Sequence, residues 1–357
     1  GRPTVLLPGN LAIFAAGIVS PPALEAHGAE FGQAPVGTGP FRFESWTKDV
    51  ELVLAANDDY WGGRPALDRV VWRTIAEDTV RLSELQTAAI DVANQVDFKD
   101  AGTVENDPNL QLITGPFLNV QFLAFNQALP PFDNQQVRQA VQHAVNKENV
   151  AEVVASGNYT LGAGPIAPTL VGYDESLAER YPYDPDAAQA LIAESGLTDI
   201  SFDLYNRTNS FWPVLGQLIQ ADLAAVGITA NLQSLEDAEF FDLLGRGEAQ
   251  AFINDWTWDN GDPDNVMFSL FVQERAVTRM GYKNDEVNNL VLQAQEVADS
   301  DVRAELYFKA QDLILDDSIM VVLGYPEKAI GALSTVENLK VSPVGALVLR
   351  EVDIAGS

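Results

Sequence analysis

The chain has 357 residues, 47% of them hydrophobic and 20% charged, which is the composition of a folded protein long enough for two domains. Its 21 Lys and Arg against 51 Asp and Glu give a formal net charge of −30, so nucleic acid and anionic membrane surfaces are excluded as expected partners, because both require clustered cations. Without Cys, and with only His27 and His143, the chain has little from which to build thiol chemistry, a catalytic triad or a zinc site, and we expect no metal and no cofactor.

The apolar run near the N-terminus does not read as a signal segment. Pro3, Pro8 and Asn10 interrupt it, and the Ser-Pro-Pro that follows lacks a small-x-small cleavage pattern. No stretch of about 18 apolar residues occurs in the chain, so the sequence predicts no membrane-spanning helix.

The first third of the chain mixes strands with loops. Alternating, β-branched and aromatic residues predict strands at residues 41–46, 51–55 and 69–74. A helix is predicted at 78–89, because its apolar residues fall mostly on one face, and a short strand follows at 90–93.

Helix signals become stronger after an extended segment at residues 117–126. Asp133, with Gln136 three positions later, resembles a capping box and predicts a helix over 134–145. Asn146 is predicted to start a second helix that ends at Gly157. We interpret His143, inside the first helix, as a packed or surface residue.

Strands and helices alternate in the rest of the chain. Asp184 followed by Pro185 predicts a helix start and Gly196 its end. Further strands are predicted at 201–205, 228–232, 249–256, 319–323 and 346–351, and further helices at 213–226, 240–244, 285–298 and 302–316. This alternation predicts an α/β lobe with a largely parallel or mixed sheet.

The segment N-D-W-T-W-D-N-G-D-P-D-N at residues 254–265 is the strongest candidate for a ligand site. Carboxylates beside large apolar side chains are costly to desolvate unless a partner compensates them. Asp262 precedes Pro263 and is predicted to cap a helix, whereas Asp259 follows Trp258 at the end of a strand and is the candidate for contact with a cation or ammonium group. Simple turn formation by Asp259 and a calcium loop, whose usual spacing is absent, are the alternatives.

Arg207 is the candidate for an anionic ligand group. It follows the strand at 201–205, and the turns after strands of an α/β sheet open onto the crevice where such folds bind ligands. An arginine there can hold a carboxylate through two parallel hydrogen bonds, although a surface arginine without function is the equal alternative.

Five segments, in order along the chain, resemble the dipeptide/oligopeptide-binding family of extracellular solute-binding proteins that serve ABC importers. They are V-G-T-G-P-F at 36–41, N-D-D-Y-W-G-G-R-P-A-L-D-R-V-V-W-R at 57–73, F-N-Q-A-L-P-P-F-D-N-Q-Q-V-R-Q-A-V-Q-H-A-V-N-K at 125–147, Y-D-P-D-A-A-Q-A-L-I-A-E-S-G at 183–196 and D-N-G-D-P-D-N at 259–265. The resemblance implies an α/β, bilobal, periplasmic-binding-protein-like type II fold that closes around an extended peptide at the interlobe cleft. Because family chains are considerably longer, this chain resembles a C-terminal fragment or a natural truncation that lacks the N-terminal part and the small extra domain.

The resemblance also implies the roles of individual residues. Asp259 would pair with the α-ammonium group of a peptide, and Arg207 lies near the position of a carboxylate-holding arginine. Other residues predicted to line the binding site, for some of which core packing is an equal explanation, are Trp256, Trp258, Phe211, Trp212 and Asn260.

From the resemblance we expect one lobe from residues 1–115 and 324–357, and a second, carrying the main binding loop, from residues 116–323. The expected function is a non-enzymatic, periplasmic or extracellular receptor at the cell envelope. It would act as a monomer and deliver short peptides to the membrane permease of an ABC importer. The same scaffold could instead bind an oligosaccharide, an opine or a metal chelate. A glycoside hydrolase using two of Asp255, Asp259 and Asp262 is the alternative of another class.

Overall fold

The computed structural model describes residues 5–11, 13, 16–208 and 211–356. Pro3, in the apolar N-terminal run, and residues 209–210, just after the predicted Arg207 site, lie outside this part of the chain. The chain divides into two compact units, whose boundaries fall at Phe117 and Lys328. Residues 5–10 group with the larger unit, whereas the sequence assigned them to the other lobe.

The smaller unit comprises Leu11–Pro116 and Lys328–Ser357. It contains an antiparallel sheet of β1 (Phe41–Thr47), β2 (Glu51–Ala56) and β3 (Arg69–Arg73), which confirms the three strands predicted there. Its other elements are helices α2 (Pro21–His27), α3 (Asp78–Gln86) and α4 (Phe98–Glu105), the 3-10 helix Gly28–Gln33, and the strands β4 (Val92–Ala93), β5 (Leu110–Pro116), β12 (Val336–Glu337), β13 (Lys340–Val341), β14 (Leu347–Val348) and β15 (Asp353–Ile354). The strand predicted at 346–351 is thus limited to two residues.

The larger unit is built on a mixed sheet. The hydrogen-bonded order is β11 (Met320–Leu333), β6 (Asn119–Phe125), β10 (Ala251–Thr257), β8 (Ser201–Arg207) and β9 (Thr229–Leu235). β6 runs antiparallel to β11 and β10, whereas β10, β8 and β9 are parallel. The predicted α/β architecture with a mixed sheet is therefore confirmed, although β11 is much longer than the predicted strand and its last residues belong to the smaller unit.

Helices account for most of the rest of the larger unit. They are α1 (Leu7–Leu11), α5 (Gln135–Ala144), α6 (Lys147–Ala155), α7 (Pro185–Ser195), α8 (Trp212–Ala225), α9 (Asp237–Arg246), α10 (Asp264–Phe271), α11 (Glu274–Met280), α12 (Asp285–Ala294) and α13 (Ser300–Asp316), with strand β7 (Tyr159–Leu161) and the 3-10 helix Glu175–Glu179. The sequence did not predict α1, α2, α4 or α11. Among the described residues, no helix is both long and apolar enough to cross a membrane.

Capping side chains explain where several of these helices begin. Asp184 accepts a hydrogen bond from the backbone N–H of Ala187, Pro185 is the first helical residue, and Gly196 ends α7 in the left-handed conformation, as predicted. The cap of α5 is Asn134, whose side chain accepts from the backbone N–H of Gln136. The prediction that Asp133 caps this helix was therefore wrong by one residue.

Aromatic packing ties the sheet to the helices of the larger unit. Phe125 of β6 stacks on Phe132 at 4.6 Å between ring centroids, and Phe132 meets Phe202 of β8 edge-on at 4.7 Å. All three side chains are fully buried in one cluster with residues of α5 and α8. Because β8 and β10 are parallel neighbours in this packed sheet, their carboxyl ends lie at the same edge.

The C-terminal glycine of α9 provides a test of this packing. Gly247 has φ +70°, and a Cβ there would overlap the backbone oxygen of Thr278 in α11. Gly196 has the same φ with nothing within 4 Å. We expect Gly196→Ala to cost about 1 kcal/mol from backbone strain alone. Gly247→Ala should cost clearly more, about 2 kcal/mol or above.

Urea denaturation of the two variants measures this difference. Equal losses of stability would contradict close packing of α11 on the end of α9, because the backbone strain is matched and only the contact with Thr278 differs.

Candidate functional site

The predicted binding loop begins at the end of a buried strand. In β10, Asn254, Asp255 and Trp256 lie opposite Phe122, Gln121 and Val120 of the fully buried strand β6. The backbone N–H of Trp258 continues this attachment with a 3.0 Å hydrogen bond to the carbonyl of Leu118. The start of the loop is therefore held by the sheet, as the sequence predicted.

Asp262 holds the far end of the loop. Its carboxylate accepts two hydrogen bonds from Arg303 of α13, at 3.1 and 2.8 Å, and Oδ1 also accepts from the backbone N–H of Asp264 at 2.9 Å. The Arg303 and Asp262 side chains are 9% and 17% exposed. A structural role was predicted for Asp262, but the helix starts one residue later than expected, with Pro263 as the flanking residue.

Asp264, at the start of α10, is a buried carboxyl group next to this ion pair. Burial, together with the negative charge of Asp262, raises its pKa to about 6, while a hydrogen bond from Gln295 and the charge of Arg303 oppose the rise. The hydrogen bond from Gln295 Nε2 to Asp264 Oδ1 is 3.0 Å long. Asp264 therefore holds a proton more tightly in the folded protein than in the unfolded chain.

A cavity of about 300 Å³ lies between β10, the loop and helices α10 and α11. Its wall is largely apolar, and its charged residues are two aspartates and two arginines. The lining residues are Phe122, Phe241, Phe252, Asn254, Asp255, Trp256, Thr257, Asp259, Ser269, Leu270, Arg275, Ala276, Arg279 and Met280. All of them belong to the larger unit.

Asp259 lines this cavity and is exposed. Within the described part of the chain, its carboxylate makes no hydrogen bond and no ion pair. No described residue compensates this negative charge directly, so it is available to a ligand cation.

Arg207 is held by protein groups at the carboxyl end of β8. Its Nη2 donates to Asp255 Oδ1 at 2.7 Å, and its guanidinium lies 4.1 Å from the ring centroid of Trp212. Asn119 donates to Asp255 Oδ2 at 2.7 Å. The Arg207 side chain is only 13% exposed, and its Nε has no partner among the described residues. A ligand carboxylate would have to bind the remaining donors of Arg207 or displace Asp255.

The predicted aromatic residues divide between the cavity and the core. Trp256 lines the cavity, and its Nε1 donates to Asn265 Oδ1 at 2.7 Å. Trp258 is 1% exposed, and its buried Nε1 has no partner among the described residues. Trp212 belongs to the hydrophobic core, and Phe211 packs against it at 4.5 Å. Of these four aromatic side chains, only Trp256 is among the residues lining the cavity.

Asn260 stabilises the loop. Its side chain is 7% exposed, accepts from the backbone N–H of Asp262 at 3.0 Å and donates to Asn10 at 3.1 Å. Both amide contacts are made within the larger unit. In this structure Asn260 therefore fixes the shape of the loop next to Asp259.

Two charged residues of the cavity were missed by the sequence analysis. Arg275 and Arg279 both lie on α11. The available signal was two arginines four residues apart, in a chain with only 21 basic residues. Among the described residues, no group of His, Cys, Asp or Glu side chains is arranged to hold a metal ion.

The raised pKa of Asp264 predicts that the stability of the folded protein depends on pH. Its pKa is about 6 in the folded protein against 3.8 in the reference state, so its contribution to stability falls as the pH rises from about 4 through 6 and above. Asp264→Asn keeps an acceptor for Gln295 and removes the charge. The variant should be more stable than the parent at pH 8, by about 1–3 kcal/mol, and should lose this advantage near pH 4.

Thermal unfolding at pH 4, 6 and 8 tests this dependence, with the exposed Glu305→Gln as control. If the Asp264→Asn variant melts below the parent protein at every pH, the carboxyl group is stabilised by its surroundings and the prediction is wrong.

Comparison with known proteins agrees with the fold. Residues 2–276 match the bacterial extracellular solute-binding proteins, family 5 Middle. Heme-binding protein A of Haemophilus influenzae is 34% identical over 78% of this chain and 52% of its own length. The dipeptide-binding protein of Escherichia coli is 31% identical over 90% of this chain and 61% of its own length. This chain thus spans about half to three fifths of these relatives.

A solved structure of a periplasmic binding protein has the same fold as this chain. The periplasmic binding protein DppA of Helicobacter pylori, in complex with the peptide STSA, superposes with a TM-score of 0.86 at 28% identity, covering 99% of this chain and 71% of that one. The family consists of binding proteins rather than enzymes, which sets aside the glycoside hydrolase alternative. The matched residues and the superposition establish that this chain belongs to the extracellular solute-binding proteins of family 5.

Proposed function

We propose that the protein captures short peptides at the cell envelope, in the periplasm or outside the cell, and delivers them as a monomer to the membrane permease of an ABC importer. In this proposal Asp259 binds the α-ammonium group of the peptide. The supporting observation is that Asp255, Asp259 and Asp262, three of the four aspartates in residues 254–265, differ in their partners. Asp255 and Asp262 are each paired with an arginine, whereas Asp259 lines a cavity and has no partner among the described residues.

The cavity suits a small ligand with few fixed polar contacts. Its volume of about 300 Å³ is at the lower end of the range for small-molecule sites, roughly 300–1,000 Å³. Phe122, Phe241, Phe252 and Trp256 provide apolar surface that accepts different side chains. A charge-assisted hydrogen bond from an ammonium group to Asp259 would contribute about 1.5–3 kcal/mol. The peptide's ammonium group would therefore be selected more strongly than the shape of its side chains.

Arg207 keeps its proposed role as a partner for the peptide carboxylate, through donors that Asp255 does not use. Asn119 and Trp212 hold the Arg207–Asp255 pair in place. Trp256 would provide direct contact surface, and Trp258, Phe211 and Trp212 would act by supporting the loop and the arginine. Asn260 would keep the loop in the shape that presents Asp259.

The relatives support a peptide but include other cargoes. The dipeptide-binding protein and the peptide complex of DppA are named for peptides, whereas another relative is named for heme. Heme has no ammonium group to pair with Asp259, and a neutral oligosaccharide would leave the same carboxylate uncompensated. The opine and the metal chelate of the alternative proposal remain to be separated from peptides by experiment.

Asp259→Asn tests the proposed ammonium contact. The variant keeps the size of the side chain and removes its charge, so binding of a panel of di- to pentapeptides with free N-termini should weaken at least tenfold. Isothermal titration calorimetry measures the affinity, with the exposed Glu305→Gln as a control of equal charge change. Acetylating the N-terminus of the best peptide should weaken its binding to the parent protein by a similar factor.

Unchanged affinity of the Asp259→Asn variant for its best peptide would reject the role of Asp259. Native mass spectrometry of protein purified without denaturation tests the cargo class separately, because a co-purified ligand is identified by its mass. Peptide masses would support the proposal, and a heme, sugar or chelate mass would replace it with the corresponding alternative.

A further inference from the structure

Helix α11 (Glu274–Met280) directs two arginines to the cavity that contains Asp259. Arg275 and Arg279 are four residues apart, so they lie on one face of the helix. Ala276 and Met280 of the same helix are 1% and 2% exposed, which anchors α11 against the rest of the unit. Like charges at this spacing do not stabilise a helix, so helix stability does not explain the pair.

Arg279 is partly buried and uncompensated. Within the part of the chain that the structure describes, it makes no hydrogen bond and no ion pair. Burial lowers its pKa, and the only charged group that acts on that pKa, Arg275, lowers it further. Arginine stays protonated in proteins, so the cavity contains a partly desolvated positive charge that an anionic ligand group could neutralise.

Other inward-facing arginines of the unit show the contrast. Arg207 pairs with Asp255 and Arg303 with Asp262. Arg138, also buried, donates to the backbone carbonyls of Phe132 and Asp317. The chain has 51 acidic residues, yet among the described residues the guanidinium of Arg279 has neither a carboxylate nor a backbone carbonyl as partner, which sets it apart from these three.

Arg275 is oriented without being neutralised. Its Nε donates to Gln273 at 2.8 Å, and its guanidinium lies 5.9 Å from the ring centroid of Trp256. Trp256 is itself held by its hydrogen bond to Asn265. These contacts leave the Nη groups of Arg275 without a partner among the described residues, so both arginines of α11 retain donors for a ligand.

Part of the cavity wall is apolar. Phe122, Phe252 and Leu270 supply apolar surface, and ion pairs are stronger where water is excluded. Asn254, which is 7% exposed and lines the cavity, has an Oδ1 atom without a partner among the described residues. An unused buried acceptor beside unused donors is the arrangement of a polar binding site rather than of a packed core.

We propose that Arg279, together with Arg275, binds a carboxylate of the same ligand whose ammonium group pairs with Asp259. This site is distinct from Arg207, one of whose donors Asp255 already engages. A dipeptide with neutral side chains has a single carboxylate, so Arg207 and Arg279 are alternatives for a peptide C-terminus, and the peptide pairs below separate them. The inference rests on the proposed function and narrows it to ligands that carry an ammonium group and a carboxylate within one small cavity. The carboxylate is either the C-terminus of a short peptide or an acidic side chain, since both present the same two oxygens.

Calorimetry with matched dipeptides tests the inference. Ala-Ala is compared with its C-terminal amide, and Ala-Glu with Ala-Gln, on the parent protein and on the Arg279→Gln and Arg275→Gln variants. Arg180→Gln, which breaks a pair with Asp312 and Asp316 on the surface of the same unit, is the control.

Arg279→Gln should weaken binding of the peptide whose carboxylate it holds at least tenfold, and binding of the matched amide less than twofold. The peptide pair that shows this difference identifies the source of the carboxylate. Equal losses for acid and amide, or no loss in either pair, would overturn the inference.

A second measurement does not depend on peptide binding. In protein freed of cargo by unfolding and refolding, Arg279→Met should raise the melting temperature, because it removes an uncompensated charge and keeps an apolar stem. A melting temperature several degrees below the parent would show that protein groups already hold the guanidinium, and would overturn the inference. If no peptide of the di- to pentapeptide panel binds the parent protein, the proposed function fails, and this measurement still decides whether Arg279 is uncompensated.

Discussion

The functional part of this protein depends on how charged side chains with little solvent exposure are neutralised. A carboxylate or guanidinium removed from water must find a partner inside the protein or in a ligand. At the loop after β10, Asp262 finds Arg303 and Asp255 finds Arg207. Asp259, which is exposed, and the partly buried Arg279 line the same cavity, and neither side chain has a partner among the described residues. The protein's own pairing thus distinguishes residues that hold the loop from residues that can hold a ligand.

The overall charge of the chain makes the positions of its few arginines informative. With a formal net charge of −30 and only 21 basic residues, cations are scarce, yet Arg207, Arg275, Arg279 and Arg303 all lie on elements next to one loop. Two of them neutralise loop aspartates, and two line the cavity. A zwitterionic ligand would meet both signs of charge there, with mostly apolar surface between them. Under the proposed function, such a site would select the ends of a peptide more strongly than its side chains.

Much of the larger unit could be predicted from local sequence. Asp184, Pro185 and Gly196 mark both ends of α7, because capping and backbone preference act between near neighbours. The strand before the loop and the separation of Asp259 from Asp262 were also predictable from order along the chain. Helix α11 was not predictable, because its seven residues are too few to show a helical repeat of apolar residues. Its position depends on the contact of Thr278 with the end of α9.

By itself, the sequence determined the family, the α/β class with its mixed sheet, and the loop that carries Asp259, since these depend on motifs and periodicity within short stretches. Only the tertiary structure decided which charges are already paired. Arg207 and Asp255 are 48 residues apart and Asp262 and Arg303 are 41 apart, so no local pattern reveals either pair. Trp212 looked like a pocket residue but lies in the core under Arg207. Arg279 became a candidate ligand residue only because folding brought it into the cavity with Asp259 and without a carboxylate of its own. Ion pairing requires contact in space, and contacts between distant segments exist only once the sheet and helices have packed.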